Sequence, residues 1–436
     1  MSAPGNPMLA VLAAGGAGAF GPLLAALALL VAAAKAGGLV AQRWGQPAVL
    51  GELLVGIGVG NLVPRFLGAE TRALVGGDPT LAFLAQLGIL LLLFDVGLET
   101  NLRAFVRVGR SAVLVAVVGI VVPGLLGWAI AAWWLPGSPG LAHVFVGATL
   151  TATSVGITAR VLKDLGATAS REAQIIIGAA ILDDVLGLVV LAVVSGTAAA
   201  AAGTGGLGPM AIGGILLRAV LFLGAAAALG HFLSGPIVRL AGRAGRESIL
   251  VLGLALCFGL AWASERLGLA DIIGAFAAGM MLDPYGKGVR ARTDQPTLAE
   301  MLHPLSAVFG PLFFVLMGAR IDLGLAVSAS VLGLAALLTA GAVAGKLACA
   351  LGVVEPGARR LAVGIGMIPR GEVGLIFAGI GAGLVVAGRP LLDAGIFSAV
   401  VLMVLATTVV TPVGLRWVLP RDQGLKPSDR TDVPGH

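Results

Sequence analysis

Two adjacent aspartates, Asp183 and Asp184, sit in Ile181-Leu182-Asp183-Asp184-Val185-Leu186-Gly187, within a stretch from Ala173 to Val194 that is otherwise almost wholly apolar. If that stretch crosses a membrane, two central carboxylates cost about 5–7 kcal/mol on insertion scales. They must be compensated or put to use. Neighbouring helix positions point about 100° apart, so each carboxylate can meet a different partner. Burial and mutual repulsion favour one of the two carrying a proton, and such a group binds a proton or a cation in competition. The alternative is a structural pair held by packing.

Two other stretches carry charge inside apolar runs. Lys346, in Ala344-Gly345-Lys346-Leu347-Ala348, lies too deep to snorkel fully to an interface, and Asp183, Asp184 and Glu372 are the carboxylates at similar depth. A purely structural ion pair would also satisfy it. Met367-Ile368-Pro369-Arg370-Gly371-Glu372-Val373-Gly374 places a proline and two glycines around opposite charges, which no ordinary helix interior accommodates. In lipid, a broken helix is tolerated where protein or a water-filled cavity satisfies the freed backbone, and many transporters build ion sites from such helices. Arg370 and Glu372 would offset the exposed half-helix dipole ends. Thr151-Ala152-Thr153-Ser154-Val155-Gly156-Ile157-Thr158 reads either as hydroxyls bonding between helices or as a second break.

The elements that must position these groups are membrane helices. Of 436 residues, 58% are hydrophobic and 11% charged, with a mean hydropathy of +1.02, whereas a soluble domain carries roughly a quarter charged residues. The net charge of +6 does not indicate nucleic-acid binding, because Lys and Arg fall in small groups between apolar runs, the pattern of cytoplasmic loops. Two cysteines and four histidines show neither a disulfide framework nor metal-ligand spacing. Without Lys or Arg before Lys35 there is no basic n-region of a signal peptide, so the first apolar run is expected to remain in the mature protein.

Spans of about 20 apolar residues cross a bilayer. The sequence predicts thirteen, near 17–42, 46–63, 80–98, 110–135, 142–163, 172–197, 209–240, 247–265, 269–283, 299–318, 324–352, 358–386 and 391–419, the second and ninth short and interrupted. An outside N-terminus and a cytoplasmic C-terminus put twenty of the 28 Lys and Arg inside and six outside. The fifth and twelfth spans carry the interruptions and lie seven places apart, an odd offset that inverts topology. That is the layout of inverted-repeat transporters, with spans one to six matching eight to thirteen, the seventh as linker, and the two broken helices crossing beside the aspartates and Lys346.

At these residues the chain resembles the monovalent cation:proton antiporter superfamily, in the branch of Nap-type sodium/proton antiporters and Kef-type potassium/proton systems. The matching stretches run in order along nearly the whole chain. They are Gly45-Gln46-Pro47 through Gly51-Glu52, Leu93-Phe94-Asp95-Val96-Gly97-Leu98-Glu99, Thr151 to Arg160, Ile181 to Gly187, Phe313-Phe314-Val315 with Gly318, and Pro369 to Gly374. The resemblance implies an all-α integral membrane homodimer, with a dimerisation domain and a core that moves past it like an elevator. It places the dimerisation domain at 1–105 and 246–322, the core at 106–205 and 323–420, a linker helix at 206–245, and a cytoplasmic tail at 421–436 expected to be disordered. It further implies that Asp184 binds cation and protons alternately, that Asp183 pairs with Lys346, that Thr153 lies near the site, and that Glu372 balances crossover-helix charge. Transported sodium would then meet Asp184 and Asp183, with no cofactor.

The Asp-Asp pair with a lysine resembles the electrogenic sodium/proton type; Kef-type relatives more often have Gln before the Asp and carry a large cytoplasmic nucleotide-binding domain. An electroneutral potassium/proton exchanger shares the expected fold. A sodium-coupled symporter for an organic solute also uses crossed broken helices, but no pocket signature for one is evident. An intramembrane aspartyl protease needs two aspartates from different helices sharing a water, which adjacent residues on one helix do not provide.

Overall fold

The computed structural model describes residues 20–62, 78–99, 109–165, 167, 170–204, 209–244, 246–282, 297–386 and 388–419. In chain order the helices are α1 (Phe20–Arg43), α2 (Ala48–Asn61), α3 (Pro79–Glu99), α4 (Arg110–Trp134), α5 (Gly140–Thr149), α6 (Val155–Asp164), α7 (Arg171–Thr204) and α8 (Pro209–Ala244). There follow α9 (Arg246–Arg266), α10 (Asp271–Leu282), α11 (Leu298–Ala319), the single turn α12 (Leu323–Ala326), α13 (Ala329–Leu347), α14 (Arg360–Gly366), α15 (Glu372–Gly383) and α16 (Ala394–Val418). A 3-10 turn, Ala348–Gly352, extends α13, and a two-residue hairpin, Val385–Val386 against Arg389–Pro390, precedes α16. The protein is all-helical apart from that hairpin among the described residues.

Nine helices among the described residues are long and apolar enough to cross a membrane: α1, α3, α4, α7, α8, α9, α11, α13 and α16. The other four segments predicted as spans are shorter or broken: α2, α10, the pair α5–α6 and the pair α14–α15. The second and ninth segments depart from expectation in one respect. They are short, but α2 and α10 run without interruption. Their glycines do not break the helix; they let another backbone come close. A Cβ on Gly56 would meet the backbone of Val315, and one on Gly274 that of Leu260. The expected tail at 421–436 lies outside the described residues.

Local sequence fixes several helix starts. Thr297 and Glu300 form a capping box at α11, each side chain taking the other's backbone N–H. Asp393 accepts from the Ile396 N–H at 2.8 Å to open α16, and Ser328 caps α13.

The chain divides into two compact units. The first holds α1–α3, residues 226–244 of α8, nearly all of α9, and α10–α12. Its apolar centre gathers Leu91, Phe94, Leu98, Cys257, Ala275 and Leu302. The second holds α4–α7, the start of α8, and α13–α16. Its centre includes Val115, Ala116, Ile176, Leu182, Cys349 and Met367.

Without a hydrophobic drive between helices in lipid, small residues that admit close approach carry the packing. In the first unit, a Cβ on Gly51 would strike the backbone of Gly37, and one on Gly37 would stand 2.7 Å from the Gly51 carbonyl. Gly51→Ala is therefore expected to destabilise the purified protein by about 1–3 kcal/mol through overpacking. Gly58→Ala on the same helix, where a Cβ meets nothing within 4 Å, should leave it unchanged; thermal unfolding of the two variants checks this.

Candidate ion site

The site is assembled in the second unit from two broken helices, α7 and α13. The first break separates α5 from α6 at residues 150–154, and the second separates α14 from α15 at 367–371. At each, the chain leaves the helix in lipid-embedded sequence, so the freed carbonyls need donors. Hydroxyls supply many of them. Thr149 and Thr151 donate back to Val146 O and Ala148 O at 2.7 and 2.8 Å. Thr158 donates to Gly366 O at 2.6 Å and Thr153 to Met367 O at 3.4 Å, capping the C-terminus of α14 from the opposite break. Thr408 of α16 donates to Arg370 O at 2.8 Å.

The two breaks cross each other. The Ser154 N–H donates to Pro369 O at 2.9 Å, and a Cβ on Gly371 would lie 2.6 Å from both Cβ and Oγ of Ser154. Thus Pro369 supplies the break and Gly371 supplies the room. Both readings of the threonine stretch hold together: it is a break, and its hydroxyls bond between helices.

Arg370 is fully buried, and its Nη1 donates to Ala152 O at 2.6 Å. That carbonyl belongs to the extended segment just beyond the C-terminus of α5, where a cation offsets the negative end of the half-helix. Its Nε and Nη2 have no hydrogen-bond partner among the described residues. Glu372 is the first residue of α15, where a carboxylate would face the positive end of that half-helix; its side chain lies outside the described residues.

Beside the crossing, α7 presents the aspartates. Asp183 is 1% exposed, and Lys346 of α13 is 0% exposed. The Lys346 ammonium donates to Asp183 Oδ2 at 3.2 Å and to Oδ1 at 3.4 Å. The structure pairs Lys346 with Asp183, one of the three carboxylates that the residues alone left open to it. Asp184, one position on, is only half-buried. The 100° rotation between neighbours thus gives the two carboxylates different surroundings. Arg370 and Cys349 lie within electrostatic reach of both Lys346 and Asp183.

Two residues of this cluster were not singled out by sequence. Cys349 sits one helical turn beyond Lys346, a spacing that places both on one face; that spacing was the available signal. Thr408 carries no sequence signal distinguishing it from the other hydroxyls of α16. Among the described residues, no group of three or more His, Cys, Asp or Glu is arranged to hold a resident metal.

An all-helical, multi-pass membrane chain with two crossed broken helices beside a buried aspartate–lysine pair belongs to the class of ion-coupled secondary transporters. Comparison with known proteins narrows this. A family profile described as sodium/hydrogen exchanger, transmembrane, matches residues 25–421. The high-affinity Na(+)/H(+) antiporter NhaS3 of Synechocystis sp. is 36% identical, with 94% of this chain and 92% of that protein covered. The Na(+)/H(+)-K(+) antiporter GerN of Bacillus cereus is 33% identical, covering 92% and 98%. The sodium proton antiporter MjNhaP1 of Methanocaldococcus jannaschii has the same fold, with a TM-score of 0.67 at 16% identity over 91% of this chain and 96% of that one. The chain belongs to the sodium/hydrogen exchanger family of monovalent cation:proton antiporters, a family of transporters and not of enzymes.

Removing one partner of a buried ion pair leaves an uncompensated charge, at a cost of about 3–5 kcal/mol. Lys346→Met should lower the unfolding temperature of the purified protein sharply, and adding Asp183→Asn should recover most of the loss. Additive losses in the double variant would show that the contact does not hold the fold.

Proposed function

We propose that the protein exchanges sodium for protons across the membrane by competition at Asp184 and Asp183, and that the exchange is electrogenic. The observation that carries the reading is the division between two neighbouring carboxylates. Asp183 is buried against Lys346, whereas Asp184 is half-buried on the next face of the same helix. At high proton activity Asp184 is protonated and Lys346 holds Asp183. A cation entering the site displaces protons and weakens that pair. Because the titrations are coupled, apparent pKa values belong to the site and not to one residue.

Thr153 lines this site from the first break, while Arg370 and Glu372 balance charge at the crossing. The family membership and the antiport for which NhaS3 and GerN are named support sodium and protons as cargo. The second unit acts as the ion-carrying core, and the first as the dimerisation domain of a homodimer past which the core moves. In that first unit α1 exposes Leu24, Leu29, Leu39 and Val40, an apolar face suited to lipid or to a second copy. The distribution of Lys and Arg supports an N-terminus outside and a cytoplasmic C-terminus in the cell (inner) membrane. GerN is named for potassium as well as sodium, which favours a second reading: electroneutral potassium/proton exchange at the same residues.

Proteoliposomes with an internal pH dye test both readings. Sodium gradients are expected to move protons in the wild type, and an imposed membrane voltage to change the rate; voltage-indifferent exchange, or a response to potassium alone, would select the second reading. Asp184→Asn should abolish exchange at normal expression, and retained exchange in that variant would remove Asp184 from the site.

A further inference from the structure

The Lys346 ammonium is not enclosed only by its carboxylate partner. On α4, Gly119 faces it directly. A Cβ placed on Gly119 would stand 3.1 Å from Lys346 Nζ, 3.1 Å from Cys349 Sγ and 3.7 Å from Lys346 Cδ. Gly119 is buried inside α4, four residues before Pro123, and its φ is outside the left-handed region, so no left-handed conformation calls for glycine there. Helix propensity would prefer alanine at such a position. What the glycine provides is a notch one methyl deep, shared by the ammonium and the thiol. One turn along the same seam, Gly345 lies against Pro123, with an added Cβ 2.8 Å from the proline Cα. That contact sets α13 close to α4, so the Lys346 side chain has no slack that would take it clear of the notch.

We propose that Gly119 is a positioning residue for the Lys346–Asp183 pair, and that Cys349 closes the other side of the same seat. The absence of a side chain on Gly119 leaves the ammonium room to sit at its distance from both carboxylate oxygens, and the thiol limits its sideways movement. A methyl on Gly119 would press on the ammonium and the thiol together, and the ammonium, at the end of the longer and more flexible side chain, is the group that shifts by a few tenths of an ångström against Asp183. This inference rests on the proposed competition between Lys346 and the transported cation: weakening the lysine's hold on Asp183 makes the cation the better competitor.

Gly119→Ala is expected to lower the apparent KM for sodium several-fold while changing the maximal rate less, and Cys349→Ala in the same protein should restore the wild-type KM by returning space to the ammonium. Gly224→Ala, where a Cβ meets nothing within 4 Å, controls for helix propensity. An unchanged or raised KM in Gly119→Ala, or no rescue by Cys349→Ala, overturns the proposal. A second measurement does not depend on transport. In thermal unfolding without sodium, the loss caused by Gly119→Ala should vanish when Asp183→Asn is already present, because the pair it perturbs is gone. An equal loss in both backgrounds means the methyl merely crowds the helices, and the positioning role fails. A wild type silent in exchange would sink the functional reading alone, and the unfolding cycle would still decide the notch.

Discussion

The cost of placing charge and bare backbone in lipid governs the second unit. Two broken helices, two buried cations and two carboxylates share one region, and each alone would be expensive there. The structure sets them against one another. Arg370 meets a carbonyl freed by the first break, hydroxyls from one break cap carbonyls of the other, and Lys346 meets Asp183. Removing a member therefore does more than delete a contact, since its partner is left buried and unsatisfied.

The compensation is also selective. Arg370 is held by a hydrogen bond to backbone, which does not titrate, so its charge is a fixed part of the crossing. Lys346 is held by a carboxylate, a partner that a proton or a metal cation can also occupy. On the proposed mechanism this difference separates the scaffold from the moving parts. The arginine keeps the half-helix ends in place while the lysine pair responds to the cargo. A guanidinium suits the first role because its planar fork presents several donors to fixed acceptors, and an ammonium suits the second because it is a single compact charge.

Much of this was legible in the sequence, because lipid makes polar residues conspicuous. Asp183, Asp184, Lys346 and Arg370 stood out as charges in apolar runs, and Pro369 with Gly371 marked a break by backbone chemistry alone. Three things were not legible. The residues alone left the lysine's partner open, because it depends on the rotation of α7 against α13; Asp183 was what the family resemblance implied. The threonines could have been glue or a break, and the answer needed the opposite chain segment. The second and ninth segments were read as interrupted, whereas α2 and α10 are continuous helices whose glycines admit neighbouring backbones. A glycine's sequence signal is the same in both cases, and only the neighbour decides.

That ambiguity bears on Gly119. In a chain with 67 glycines, nearly all are expected to serve helix packing, and nothing in the sequence separates one from the rest. Many of the tightest contacts set glycine against another backbone, as at Gly51 and Gly274, where the gain is dispersion between helices. Gly119 differs in what occupies its space: a side-chain ammonium and a thiol. Space given to a charged group has another consequence than space given to a backbone. It sets how far the charge can move, and in a low-dielectric surround the strength of an ion pair depends steeply on that distance. A missing methyl on one helix can thus act on the balance between lysine and cation on two others, without touching either carboxylate.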